Sequence, residues 1–118
     1  MERHARPADV IRRYYGAYEA KERGAIEPLL GEDFTFSSPH DDRIGRAAYF
    51  ERCWPNSENI GRFHIERLFV EGDEAFVLYE LEPEAGTSFR NTEFFRFEDG
   101  RIRAVEVYFG SNKGSAET

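Results

Sequence analysis

The stretch Asn91–Gly110, NTEFFRFEDGRIRAVEVYFG, decides the fold. Its two halves are rich in aromatic and β-branched residues and flank Glu98-Asp99-Gly100. An Asp-Gly pair between such runs is the strongest short-range signal for a β-hairpin. Strand side chains alternate between faces, so Glu93, Phe95 and Phe97 share one face of the first run. A carboxylate in line with two phenylalanines is either a rim residue paired with an arginine or a charge inside an apolar cavity. The turn sets its neighbour. A two-residue turn at Asp99-Gly100 puts Glu93 opposite Glu106, where two facing carboxylates would share a proton. A type I turn with a Gly100 bulge puts it opposite Val105, with Val107 and Phe109 continuing the inner wall. The bulge is the expected form, because it turns three apolar residues inward and sends Glu106 to the outer face.

Working outward, the same period of two runs back to Phe63. Phe63–Glu71 and Glu74–Glu82 read as strands joined by a tight turn at Gly72-Asp73. After a turn over Pro83–Gly86 come the two opening strands, about Ser88–Phe97 and Arg101–Phe109. The N-terminal half reads differently. Val10, Ile11, Tyr14, Tyr15 and Tyr18 recur at helical spacing from Pro7 to about Arg23, where Gly24 stops the helix. Ala25–Leu30 reads as a short second helix closed by Gly31. Asp33–Ser38 alternates as a short strand ended by Pro39, and His40–Arg43 reads as a polar loop. Gly45–Trp54 is a third helix presenting Phe50, Cys53 and Trp54 before Pro55. The pattern is α+β: a curved antiparallel sheet covered on one face by three N-terminal helices. Strands of that length curl, so the sheet and its helices enclose a cavity.

A chain of 118 residues is one domain, 1–118, with its core over about 7–110 and a loose tail at 111–118. Eleven Phe and six Tyr mean that rings build the core or the walls of a pocket. The net charge of −7 argues against nucleic acid or an anionic membrane as partner, since both need a basic face. Cys53 is the single cysteine, so no disulfide forms within the chain and no cysteine-based metal cluster exists. The histidines lack ligand spacing, so no metal site is expected, and no cofactor. The N-terminus has no apolar segment of signal length and no run approaches membrane-spanning length; cytoplasmic residence is the expectation.

Ala25-Ile26 through Thr35 to Pro39, and Phe95-Arg96-Phe97 followed by Gly100-Arg101-Ile102 and Phe109-Gly110, carry a likeness spanning Val10 to Gly110. The chain resembles the nuclear transport factor 2-like superfamily, which includes ketosteroid isomerases, SnoaL-like polyketide cyclases and scytalone dehydratase. The resemblance implies a cone-like half barrel of the cystatin-like kind, with an apolar pocket and frequent dimerisation through the sheet's outer face. It places Tyr14 at the oxyanion-hole tyrosine of the isomerases and Glu93 at their protonated oxyanion-hole aspartic acid. Ser38 falls where they keep the aspartate that shuttles the proton. A serine hydroxyl is too weak a base for that step unless another group activates it. The histidine and tryptophan signatures of the cyclases are not recognisable.

Tyr14 and Glu93 together would make a donor pair for a developing oxyanion. Tyr14 alone reads equally as a core tyrosine bonded to a backbone carbonyl. His40 or Asp41 would move the proton in place of the missing carboxylate, although such a cluster is more often a solvated loop. Trp54, Phe50, Phe63, Phe95, Phe97 and Phe109, with Val105, Val107 and Ser38, are the expected pocket residues for an apolar small molecule. Two functions follow. One is a pocket protein that binds or isomerises an apolar carbonyl or phenolic compound through Tyr14 and Glu93. The other is a non-catalytic, homodimeric ligand-binding or accessory domain. The outer face, read as Phe94, Ala104, Glu106 and Tyr108 with Ile102 near the turn, suits a twofold dimer.

Overall fold

Asp99 and Gly100 adopt φ of 54° and 78°. That is the geometry of a two-residue type I′ turn, whose twist matches the strands it joins. In this computed structural model, which describes residues 6–112, Glu98 pairs with Arg101 and Phe97 with Ile102. The register then shifts, and Arg96 pairs with Ala104. The bulge therefore exists, but past the turn at Arg103 instead of at Gly100. An extra residue on the second strand moves each later partner forward by one. Glu93 consequently lies opposite Val107, and neither Glu106 nor Val105 faces it. Val105 faces Phe95, and Glu106 pairs with Phe94. Ile102 precedes the bulge, so it keeps the inward phase and is fully buried, contrary to its expected outer position.

The elements run α1 (Pro7–Ala20), α2 (Arg23–Ile26), β1 (Leu30–Ser38), β2 (Asp41–Gly45), α3 (Arg46–Arg52), β3 (Ile60–Glu71), β4 (Glu74–Pro83), β5 (Phe89–Glu98) and β6 (Arg101–Asn112). Short 3-10 turns cover Glu27–Leu29 and Trp54–Asn59. The fold is α+β, as the pattern implies. The sheet is open, in the order β2-β1-β6-β5-β4-β3. Every neighbouring pair is antiparallel except β1 and β6, which run parallel. The polar segment read as a loop is in fact the edge strand β2, with Phe36 paired to Ile44. An edge strand exposed along most of its length shows no hydrophobic alternation to read. α1 ends earlier than expected because Lys21, at φ 58°, takes the left-handed cap and its N–H returns to Ala17 and Tyr18. Gly31 lies within β1 and does not close a helix. β6 continues to Asn112, two residues into the stretch expected to be loose; 113–118 lie outside the described residues.

α1 lies on the inner face of the sheet. Its buried stripe is Val10, Ile11, Tyr14, Tyr15, Ala17 and Tyr18. Tyr14 meets Phe95 edge-on with ring centres 5.4 Å apart, and Tyr15 packs on Phe63 at 4.5 Å and Tyr79 at 5.3 Å. α3 inserts Tyr49, wholly buried, between Phe34 and Phe36, each 5.1 Å from it. Aromatic pairs of this kind add to burial because ring edges meet ring faces. No helix among the described residues is long and apolar enough to cross a membrane.

Candidate functional site

Between α1, β1 and the inner face of the sheet lies a cavity of about 220 Å³. Tyr14, Tyr15 and Tyr18 line it from the helix, and Phe63, Tyr79, Leu81, Asn91, Glu93 and Val107 from the sheet. Ser38, His40, Asp41, Asn56 and Phe109 also border it, with Cys53 and Ile60.

Glu93 is 6% exposed on this inner wall. Tyr15 donates its hydroxyl to one carboxylate oxygen at 2.6 Å, and Tyr79 donates to the other at 2.7 Å. Among the described residues no cation pairs with Glu93. Burial raises its pKa above the ordinary carboxylate value, while the two tyrosine hydrogen bonds pull it down. Asn91 completes the group: its amide donates to the Tyr79 hydroxyl at 3.3 Å, and its carbonyl oxygen accepts the Gly110 N–H at 3.2 Å. Tyr79 is thereby fixed with its own hydrogen committed to Glu93.

A second hydroxyl group sits beside the first. The Tyr49 hydroxyl bonds that of Tyr14 at 2.9 Å and also that of Tyr18. Burial pushes the pKa of all five tyrosines upward, and the charge of Glu93 raises Tyr14, Tyr15, Tyr18 and Tyr79 further. All therefore stay protonated and act as neutral donors or acceptors.

The border near β1 and β2 is different in character. The Ser38 hydroxyl accepts the His40 backbone N–H at 3.1 Å and donates to Asp41 at 3.4 Å. Arg52 on α3 pairs with the other Asp41 oxygen. The His40 ring stands edge-on to Phe109, 5.6 Å away. Burial, with the nearby Asp41 charge, pushes the Cys53 thiol up to about 11, so it is a protonated, unreactive wall group.

Of the residues singled out by sequence, Tyr14, Glu93, His40, Asp41, Ser38, Phe63, Val107 and Phe109 all border this one cavity. Tyr14 and Glu93 are not hydrogen-bonded to each other; Tyr15, the neighbour of Tyr14, reaches the carboxylate instead. Phe50, Phe95, Phe97 and Val105 are buried in the core and do not line the cavity. Trp54 packs on Tyr18 at 4.8 Å, behind the wall. Residues not singled out are Tyr15, Tyr18, Tyr49, Tyr79 and Asn91. Their signal was the helical spacing of three tyrosines and the alternation that turns Val77, Tyr79 and Leu81 inward together. A buried carboxylate requires donors, and these were the donors within reach.

The chain matches the SnoaL-like domain family over residues 11–105. It belongs to that family. No curated protein sequence is a significant match. Among solved structures, this SnoaL-like domain is similar to a nuclear transport factor 2-like protein of unknown function from Cytophaga hutchinsonii. That pair has TM-score 0.78 and 22% identity, covering 92% of this chain and 94% of the other. A candidate polyketide cyclase from Sinorhizobium meliloti gives TM-score 0.72 and 20% identity, covering 84% and 93%. A candidate ketosteroid isomerase from Kribbella flavida gives TM-score 0.75 and 19% identity, covering 93% and 82%. At such identities the likeness establishes the fold, the nuclear transport factor 2-like cone, and leaves function to the site itself.

Proposed function

We propose that this SnoaL-like domain binds an apolar small molecule by a carbonyl or phenolic oxygen and polarises that oxygen with Tyr14 and Glu93. The observation that carries the reading is Glu93, buried on the cavity wall with both oxygens held by tyrosine hydroxyls and, among the described residues, no cation paired with it. Burial favours the protonated form of Glu93, the form that donates to an oxygen lying against it, and the buried tyrosines add neutral donors. Apolar walls from Phe63, Leu81 and Val107 suit the rest of the ligand. Titration of a phenol series into wild type, Glu93→Gln and Tyr14→Phe tests it. Each substitution should weaken binding about tenfold, the value of one good hydrogen bond in a buried site. Unchanged affinity in both variants removes the oxyanion reading.

One observation favours a binding domain without catalysis. Asp41 is engaged by both Arg52 and Ser38, which leaves the exposed His40 ring as the one uncommitted base bordering the cavity among the described residues. If the domain is an enzyme, His40→Ala abolishes turnover while sparing affinity. Turnover that persists in His40→Ala excludes His40 as the base.

The same reading includes a homodimer through the outer sheet face and cytoplasmic residence. Phe69, Phe76 and Tyr108 are 66%, 49% and 53% exposed, and Phe76 packs on Phe94 across β4 and β5. Such a ring-rich face on a single sheet suits a self-complementary interface. Sedimentation should give a dimer that Phe76→Glu converts to monomer; a wild-type monomer independent of concentration excludes it. Cell fractionation checks the location.

A further inference from the structure

β3 is the last strand on its side of the sheet, so one edge of its backbone has no neighbouring strand. Which backbone groups face that edge follows from the pairing with β4. Glu71 and Glu74 close the turn at Gly72-Asp73 and exchange hydrogen bonds with each other; the alternation of an antiparallel ladder then turns the N–H and C=O of Val70 and Leu68 outward. The far end of the strand agrees. Phe63, opposite Leu81, gives its outward N–H to the Glu19 carboxylate at 2.7 Å, and Lys21 reaches the Ile60 carbonyl oxygen at 2.7 Å. α1 thus satisfies the edge near Phe63. Among the described residues no hydrogen bond reaches the outward groups of Leu68 or Val70.

Free edges are normally blunted by charge, proline, shortness or a bulge. The opposite edge, β2, is short and carries Asp41, Asp42 and Arg43. β3 has its bulge at Glu66, and beyond it Leu68, Phe69 and Val70 run without interruption, Phe69 and Val70 being 66% and 43% exposed.

The stretch Arg67–Glu71 is complementary to itself in an antiparallel pairing centred on Phe69. Leu68 then lies opposite the partner's Val70, apolar against apolar, and the outward groups of the two coincide, so each such pair closes both backbone hydrogen bonds. Phe69 meets its own copy at the axis, where aromatic cross-strand pairs stabilise. On the same face Arg67 lies opposite the partner's Glu71. Among the described residues neither Arg67 nor Glu71 has an ion pair of its own. The Glu66 bulge falls opposite the Gly72 turn, so the two interruptions coincide. Centring the pairing on Leu68 or Val70 instead sets Phe69 against Arg67 or Glu71 and leaves the charges unmatched.

We infer that the β3 edge pairs with the same edge of a second copy of this chain, antiparallel about a twofold axis at Phe69, joining two sheets into one. This contact is separate from a dimer through the outer sheet face. So short a stretch buries less than the roughly 800 Å² per partner of a stable complex, so it forms at about 0.1–1 mM.

Sedimentation of the whole chain from about 10 μM to about 1 mM, with amide exchange at Leu68 and Val70 followed by NMR, tests this. Association should grow over that range while the two amides slow together, about two- to fivefold. Val70→Pro removes an N–H that the β3–β4 ladder does not use, so it should keep the circular dichroism of the fold and lose the association. Arg67→Glu and Glu71→Arg should each weaken association about tenfold, and the double exchange should restore it. No contact within one chain explains that recovery, because the two positions stand about 13 Å apart along the strand. Single reversals that associate like wild type, a double exchange that does not recover, or Leu68 and Val70 amides that exchange equally fast at every concentration each overturn the inference. All are read as differences from wild type or from dilute protein at the β3 edge, so the outer-face dimer can fail without affecting them.

Discussion

Replacing Tyr49 by Phe removes one oxygen atom from the middle of the hydroxyl chain and leaves the ring. The ring's contacts with Phe34, Phe36 and Phe50, at 5.1 to 5.4 Å between centres, are retained, so the loss of packing is small. What goes is two hydrogen bonds, one to Tyr14 and one to Tyr18. A buried neutral hydrogen bond contributes about 1 kcal/mol net, so the ceiling is about 2 kcal/mol. Tyr14 and Tyr18 both reach the cavity, where water can replace part of the loss. The expected destabilisation is therefore about 1–2 kcal/mol, or a fall in melting temperature of about 4–8 °C for a domain of this size. Urea unfolding monitored by circular dichroism measures it. A change below about 0.5 kcal/mol refutes the chain, because no satisfied buried hydroxyl pair is lost so cheaply. A double-mutant cycle adds a second check. Tyr14→Phe should cost about 1 kcal/mol less in the Tyr49→Phe background than in wild type. Additive costs would mean that the two hydroxyls do not interact.

Glu93→Gln should alter the pH dependence of stability. The folded chain holds the Glu93 proton at pH values where the unfolded chain has released it, because burial raises the folded pKa. Wild type should lose stability relative to Glu93→Gln as pH rises from the ordinary carboxylate range through the raised value, then run parallel; urea melts across that range test the sign, and a relative gain refutes it. Gly110→Ala should destabilise by about 1–3 kcal/mol, since a Cβ there would stand 2.3 Å from the Arg90 carbonyl oxygen and push β6 off Asn91. Thermal melting without a fall contradicts that close approach. Gly100→Ala should cost about 1–2 kcal/mol by placing a side chain at φ 78°, and an unchanged melting temperature would argue against the type I′ turn.

How much of this was legible depended on whether a residue's role was local. The Asp99-Gly100 turn, the alternation of β3 to β6 and the stripe of α1 follow from chemistry within a few residues, and they determine the fold. The bulge at Arg103 does not, because it is set by how Ile102 must face Phe97 while Ala104 faces out beside Arg96. That one residue displaced the expected partner of Glu93. β2 was hidden for a related reason: its pairing to β1 is made by backbone groups, while its side chains are largely exposed and polar. At the site, Glu93 was readable from its phase with Phe95 and Phe97. Its partners Tyr15 and Tyr79 lie 78 and 14 residues away in the chain, and which helix tyrosine reaches it depends on the rotation of α1 over the sheet. Composition announced abundant rings; only packing separated cavity wall from core, sending Phe63 to one and Phe95 to the other.

The parallel pairing of β1 with β6 also governs the order in which the domain is made. β6, the last strand of the sheet to be synthesised, is inserted between β5 and one of the first, β1. The hairpins β3–β4 and β4–β5 form from near neighbours, but β1 and β2 wait on the far side without a sheet to join. Contacts of such long sequence separation slow folding and leave strand edges open meanwhile. Val107 and Phe109, which border the cavity, ride on that last strand. A nascent chain therefore carries its tyrosine helix early and gains its pocket only when synthesis has passed β6.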